Sequence, residues 1–119
     1  MQLNEFLDKV KNLEALSFND TIAVIAANYR YTPSTFSNGL GEQQVVNTAG
    51  TNEGSCKIFA FAILHGLTEA QTLNLFGDYY RLDVLNDPDG TSHANIRHFM
   101  RFGWAGIRFE RQALSSPEI

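Results

Sequence analysis

Several things are scarce in this chain of 119 residues, and each scarcity closes a class of function. Cys56 is the single cysteine, which leaves no intramolecular disulfide and no four-cysteine zinc site. Basic residues number nine against thirteen acidic ones, and a net charge of −4 argues against a general nucleic-acid binder. Hydrophobic runs are short. The longest, Ile58 to Leu64, is far below the ~20 apolar residues that cross a bilayer. The N-terminal stretch is broken by Glu5, Asp8, Lys9, Lys11 and Glu14, so it lacks the apolar centre of a secretory signal. Histidine is rare too. His65, His93 and His98 have no metal-ligand spacing, and His93 and His98, five apart, fall ~140° apart around a helix. No metal, cofactor, membrane or nucleic-acid partner is expected, and a lone thiol suits a reducing compartment such as the bacterial cytoplasm.

What remains is 44% hydrophobic and 18% charged, the composition of one soluble folded domain over residues 1–119. Leu3, Phe6, Leu7, Val10 and Leu13 predict an amphipathic helix over 3–15. Ser17 with Asp20 reads as a capping box opening a second helix, whose stripe is Phe18, Ile22, Ile25, Ala26 and Tyr29. Residues 31–54 are rich in Gly and Asn, with a turn signal at Ser37-Asn38-Gly39 and a short strand at 44–47. An irregular segment of that length is usually functional or disordered. Ser55 to Gly66 reads as a central helix, apolar nearly all round, with Gly66 just past its end. Thr68 and Gln71 form a second capping box, and 78–85 reads as a further short helix. Thr91 or Ser92 caps a last helix that turns Ile96, Phe99 and Met100 to the core and stops at Gly103. Only the tail 115–119 looks loosely held. The expected fold is predominantly α, five or six short helices around Ile58–Leu64, with a short antiparallel strand pair from 44–47 and 106–110. An α+β fold is the alternative.

Cys56 is the best local candidate for chemistry, because a thiol at a helix start feels partial positive charge that favours thiolate. Its base must come from another element. His65 lies nine residues on, on the opposite face of the same helix, which leaves His93 or His98, and His93 is favoured because it sits near the start of the last helix, where the dipole keeps a neutral base. A buried structural cysteine is the plainer alternative. The Asp87-Pro88-Asp89-Gly90 turn is not a calcium loop, since its first and twelfth positions are Leu85 and Ile96. Residues 50–57 fail the P-loop pattern, although an anion site there stays open. Tyr79, Tyr80 and Arg81 are residue types typical of recognition surfaces. Arg97, Arg101, Arg108 and Arg111 cluster late in the chain, either as a solvated face or as a face for an acidic partner.

Taken together, Asn52-Glu53-Gly54-Ser55-Cys56-Lys57-Ile58-Phe59-Ala60-Phe61-Ala62, Phe76-Gly77-Asp78-Tyr79-Tyr80-Arg81, Asp83-Val84-Leu85, Gly90-Thr91, His93, Asn95-Ile96-Arg97, Phe99-Met100 and Gly103-Trp104-Ala105-Gly106-Ile107 resemble the HopJ family. These are small proteins named after a type III effector of plant-pathogenic bacteria. The resemblance runs over about residues 15–109. It implies injection into a host cell and action on a host protein, and it carries no established catalytic residue. The first functional expectation is therefore an interaction protein, binding a partner protein through Asn52, Ser55, Lys57, Tyr79, Tyr80, Arg81 and Arg97. One alternative is a hydrolase or transferase using Cys56 with His93. Another is a housekeeping bacterial protein with a small anion or ligand site near residues 50–57.

Overall fold

The computed structural model describes residues 1–116. Five α-helices carry the architecture: α1 (Leu3–Lys11), α2 (Phe18–Asn28), α3 (Glu53–Leu64), α4 (Glu69–Asn74) and α5 (Ala94–Phe102). A π-helical turn, Tyr79–Val84, lies between α4 and α5. Two small antiparallel sheets complete the fold. One pairs β1 (Arg30–Tyr31) with β5 (Leu114–Ser115), and the other orders β3 (Val45–Asn47), β2 (Phe36–Asn38) and β4 (Arg108–Phe109) with β2 in the middle. The α-rich expectation holds. Among the described residues no helix is long and apolar enough to cross a membrane.

The helix starts follow local chemistry. Ser17 Oγ accepts the Asp20 N–H at 2.9 Å, and Thr68 Oγ1 accepts that of Gln71 at 3.1 Å, with both capping boxes closed by the return bond. Each cap satisfies an amide that would otherwise be orphaned, worth about 1 kcal/mol. Gly66 ends α3 with φ +61, letting Leu67 N–H reach the Ala62 carbonyl and Gly66 N–H that of Ile63. That double bond is the Schellman pattern, and it needs a residue free of a Cβ penalty.

The core forms around α3. Cys56, Ile58, Phe59, Ala60, Phe61 and Ala62 are all buried. The Phe59 ring is the hub, with ring centres of Phe99 at 5.0 Å, Phe76 at 5.6 Å, Phe36 at 5.9 Å and Trp104 at 6.3 Å. Fully burying such a ring contributes about 1.5–3 kcal/mol, with edge-to-face contacts adding to it.

Several expectations are corrected. Segments 44–47 and 106–110 do supply strands, but they do not pair with each other. Phe36 pairs with Asn47 on one side and with Phe109 on the other, so β2 separates them. The expected turn at Ser37-Asn38-Gly39 is thus mostly strand, because the outer strands give its backbone groups partners. Helix α1 stops at Lys11, and Leu13 takes φ +55 beyond it. Ala26 is exposed, while Thr21 takes the buried position and donates its hydroxyl to the Leu75 carbonyl at 2.9 Å. Met100, Ile63 and Leu64 are exposed rather than core. Ser115 is held in β5, whereas residues 117–119 of the expected loose tail lie outside the described residues.

At the end of α3, Tyr29 Oη lies 2.5 Å from His65 Nε2, a hydrogen bond between phenol and imidazole. Burial, aided by Lys11, holds the His65 pKa below its ordinary value. A base with a depressed folded pKa stabilises the fold above its unfolded value, near 6.5, and that contribution is lost as pH falls through the folded value. Melting temperature should therefore fall between pH 7.5 and pH 5 more steeply for the natural chain than for His65→Gln. Equal slopes would dismiss His65 as the cause.

Candidate functional site

Two helices begin in an unusual way. An N-cap residue normally sits in extended backbone and turns its side chain onto the first helical amides. Asn52, before α3, has φ 49 and ψ 47, and His93, before α5, has φ 52 and ψ 53. Both are left-handed, and neither side chain caps its helix. Such a conformation costs about 1–3 kcal/mol for a residue with a Cβ, so other contacts must hold it.

The side chains freed in this way go elsewhere. Asn52 Nδ2 donates to Asn47 Oδ1 at 2.7 Å. Asn47 and Asn95 exchange amide bonds, with Asn95 Nδ2 donating at 3.0 Å and Asn47 Nδ2 at 3.1 Å. Asn38 Nδ2 adds bonds to the Asn95 carbonyl at 2.8 Å and to Asn95 Oδ1 at 3.1 Å. Asn38, Asn47 and Asn95 are buried, so the cluster must satisfy itself, and the Asn38 Oδ1 atom alone is left without a partner. His93 Nε2 lies 3.1 Å from Asp83 Oδ2.

Between these helix starts opens a cavity of about 390 Å³. Asn47, Asn52 and Asn95 give it an amide floor, and Ser55 and His93 lie on its rim. Phe18, Tyr79 and His93 form one wall, Phe18 edge-on to Tyr79 at 5.0 Å and Tyr79 tilted against His93 at 5.1 Å between ring centres. Gly54 lets that wall approach α3, since a Cβ there would meet Phe18 Cζ at 2.8 Å. Gly77, with φ +63, is equally constrained: a Cβ would stand 2.5 Å from the Phe18 backbone nitrogen. No Asp, Glu, Lys or Arg is among the described residues lining the cavity.

Of the residues singled out from sequence, this cavity gathers Asn52, Ser55, Tyr79 and His93. It does not gather the others. Lys57 Nζ lies over the Tyr31 ring at 4.7 Å. Tyr80 packs against the core. Arg81 donates to Asn74 Oδ1 and to the Leu16 carbonyl, tying the π-helical turn to the α1–α2 connection. Arg97 donates to the Ser92 and Asp87 carbonyls and so holds the loop that delivers His93. His93 itself precedes α5 where Thr91 or Ser92 is the expected cap. The sequence reading passed over Asn47 and Asn95 as a pair. Their signal is two amides, 48 residues apart, each beside a left-handed turn, and nothing local connects them.

Cys56 and His93 are not brought together. Cys56 is 1% exposed, and its Sγ–H faces the Ser34 carbonyl at 3.7 Å, whereas His93 faces Asp83 and Tyr79. Burial pushes the Cys56 thiol pKa up, the reverse of what an activated nucleophile needs. Among the described residues no three His, Cys, Asp or Glu side chains gather as a metal centre would. The raised thiol pKa also has a sign for stability. Its contribution is full below the unfolded thiol value, near 8.5, and declines as pH rises from there toward the folded value. Iodoacetamide should leave native Cys56 essentially unmodified at pH 8 and alkylate it fully in 8 M urea (a denaturing concentration of order several molar). Rapid native alkylation would contradict the buried placement.

The comparisons agree with this architecture. A crystal structure titled "Crystal structure of unknown function protein VPA0580" superposes with a TM-score of 0.91 at 47% identity, covering 98% of this chain and 94% of that one. No curated protein matches the chain. The family model described as HopJ type III effector protein matches residues 3–114. Nearly the whole described fold, with both helix starts that frame the cavity, lies within that match, and the chain belongs to the HopJ type III effector protein family.

Proposed function

We propose that this chain acts by binding, and that its binding centre is the cavity between the starts of α3 and α5. One observation carries the reading. Three stretches far apart in sequence bring Asn52, Ser55, Tyr79 and His93 around a buried, self-bonded amide floor. Aromatic walls and neutral amides suit a flat apolar group with a neutral or weakly anionic polar end, and the volume is that of a small-ligand site. This develops the expected small-ligand site at residues 50–57 and moves its centre toward His93 and Asn95.

A second reading, action on a partner protein after injection by a type III system, draws support from a different surface. Leu85 and Met100 are exposed and share a groove with Val84, Pro88, Arg97 and Arg101. Apolar side chains beside the exposed Arg101 form a face suited to an acidic amphipathic segment. Under this reading a translocation reporter fused behind Ile119 enters host cells from a bacterium with a working type III system. Retention in the bacterium rejects it.

The cavity reading is tested with benzamide as the probe, because it joins a flat ring to a primary amide. Titration at millimolar concentration should shift the backbone amide resonances of Asn52, Ser55, Tyr79 and Asn95 and leave α1 unmoved. Asn52→Gly keeps the left-handed backbone while removing the side-chain amide, and should weaken binding about 2- to 10-fold, the worth of one hydrogen bond. Absence of localised shifts rejects the site.

A further inference from the structure

Residues 55 and 56 are neighbours on α3, so their side chains leave the helix about 100° apart. The fold buries the thiol and gives the hydroxyl to the cavity. Cys56 faces Ser34, while Ser55 lines the same cavity as His93, and the Ser55 hydroxyl is free to turn, with no hydrogen-bond partner among the described residues, His93 included. His93 is already oriented: Asp83 accepts at Nε2, and the Tyr79 ring lies tilted beside the imidazole. A carboxylate only accepts, so in the neutral ring Nε2 carries the hydrogen and Nδ1 keeps its lone pair. Asn52 leaves the first amides of α3 uncapped beside Ser55.

We propose that the cavity is an acyl-transfer site for small carboxylic esters, with Ser55 as nucleophile, His93 as base and Asp83 as the positioning residue. The proposal rests on the cavity being a ligand site. In the first step Ser55 Oγ bonds to the ester carbonyl carbon and its proton passes to His93 Nδ1. The carbonyl oxygen becomes an oxyanion next to the uncapped amides, where fixed N–H dipoles stabilise it. The tetrahedral adduct collapses, the C–O bond to the alcohol breaks, and the alcohol leaves with the proton from His93. Water then attacks the acyl-serine, losing its proton to His93. The carboxylic acid departs and Ser55 Oγ regains its hydrogen. This division of labour among serine, histidine and carboxylate is independent of fold and chain order. Phe18 and Phe76 supply apolar wall for a short acyl or aryl group.

The test uses the full chain and a biotinylated fluorophosphonate, which phosphonylates activated serines. Peptide mapping should place the adduct on Ser55. Ser55→Ala should abolish it, and His93→Asn, which tolerates the left-handed backbone, should slow it at least tenfold. Asp83→Asn should slow it, and Asp83→Glu, which keeps a carboxylate to accept from the imidazole, should restore most of the rate. A merely structural Asp83 would leave the labelling rate of the folded Asp83→Asn protein unchanged. Failure of the folded protein to label at Ser55, or equal labelling with His93→Asn, overturns the proposal. If His93→Asn does not fold, Ser55→Cys decides. Its new thiol should react with iodoacetamide at pH 7 faster than free cysteine, and a rate equal to or below that of free cysteine overturns the proposal. Benzamide shifts without a Ser55 adduct overturn acyl transfer alone, whereas loss of both removes the ligand site as well.

Discussion

The reciprocal amide pair between Asn47 and Asn95 is the constraint on which the site depends. Each largely buried primary amide has two donors and an acceptor to satisfy, and leaving one unpaired costs about 1–3 kcal/mol. Asn47 ends β3 and Asn95 lies in the first turn of α5, so their mutual bonds lock a sheet edge to a helix start. Asn52 joins through Asn47 and brings the start of α3 to the same place. Moving β3 against α5 breaks both reciprocal amide bonds at once, and moving the start of α3 breaks the bond from Asn52. Such a floor is rigid before anything binds, and a site that is already ordered loses less free energy on binding than one that must order itself.

The two left-handed residues follow from that lock. In an ordinary cap, the side chains of Asn52 and His93 would fold back on their own helices. Here both are drawn outward, by Asn47 and by Asp83, and the backbone takes the strained conformation that aims them there. Surrounding contacts hold the strain in place. Arg97 holds the loop before His93 by its carbonyls, and Gly77 lets the chain pass against Phe18 so that Tyr79 reaches the imidazole. Strain concentrated at two facing helix starts, maintained by contacts from four separate stretches, is a recurring feature of functional sites.

The readable parts of the fold were those governed by neighbours in sequence. Ser17 with Asp20, Thr68 with Gln71, and Gly66 after α3 each declare a helix end within four residues, and each is observed. The central helix was readable from its apolar run. What escaped was set by distant partners. β2 looked like a turn because Ser37, Asn38 and Gly39 are turn residues, yet Val45–Asn47 and Arg108–Phe109 supply its ladder from both sides. Arg81 and Arg97 looked like recognition residues, but backbone carbonyls at Leu16, Ser92 and Asp87 occupy their guanidinium groups. Residue type announced their capacity for hydrogen bonding, and only the fold decided where it went.

The clearest instance is the pair Ser55 and Cys56. Sequence placed chemistry at the start of α3 and named His93 as the partner, reasoning from the thiol's intrinsic reactivity. Which of two adjacent side chains meets His93 depends on how α3 is rotated about its axis, and that rotation is fixed by burial. Ile58, Phe59 and Phe61 commit α3 to the core, and the ring cluster around Phe59 leaves little freedom for the helix to turn. With that face buried, Cys56 points to Ser34 and Ser55 to the cavity. Exchanging the two faces would take a rotation of about 100°, which would expose the aromatic cluster to water. Aromatic packing about one turn away therefore selects the hydroxyl over the thiol at the mouth of the cavity. The chemistry available to this protein is set there, by the hydrophobic core, before any ligand arrives.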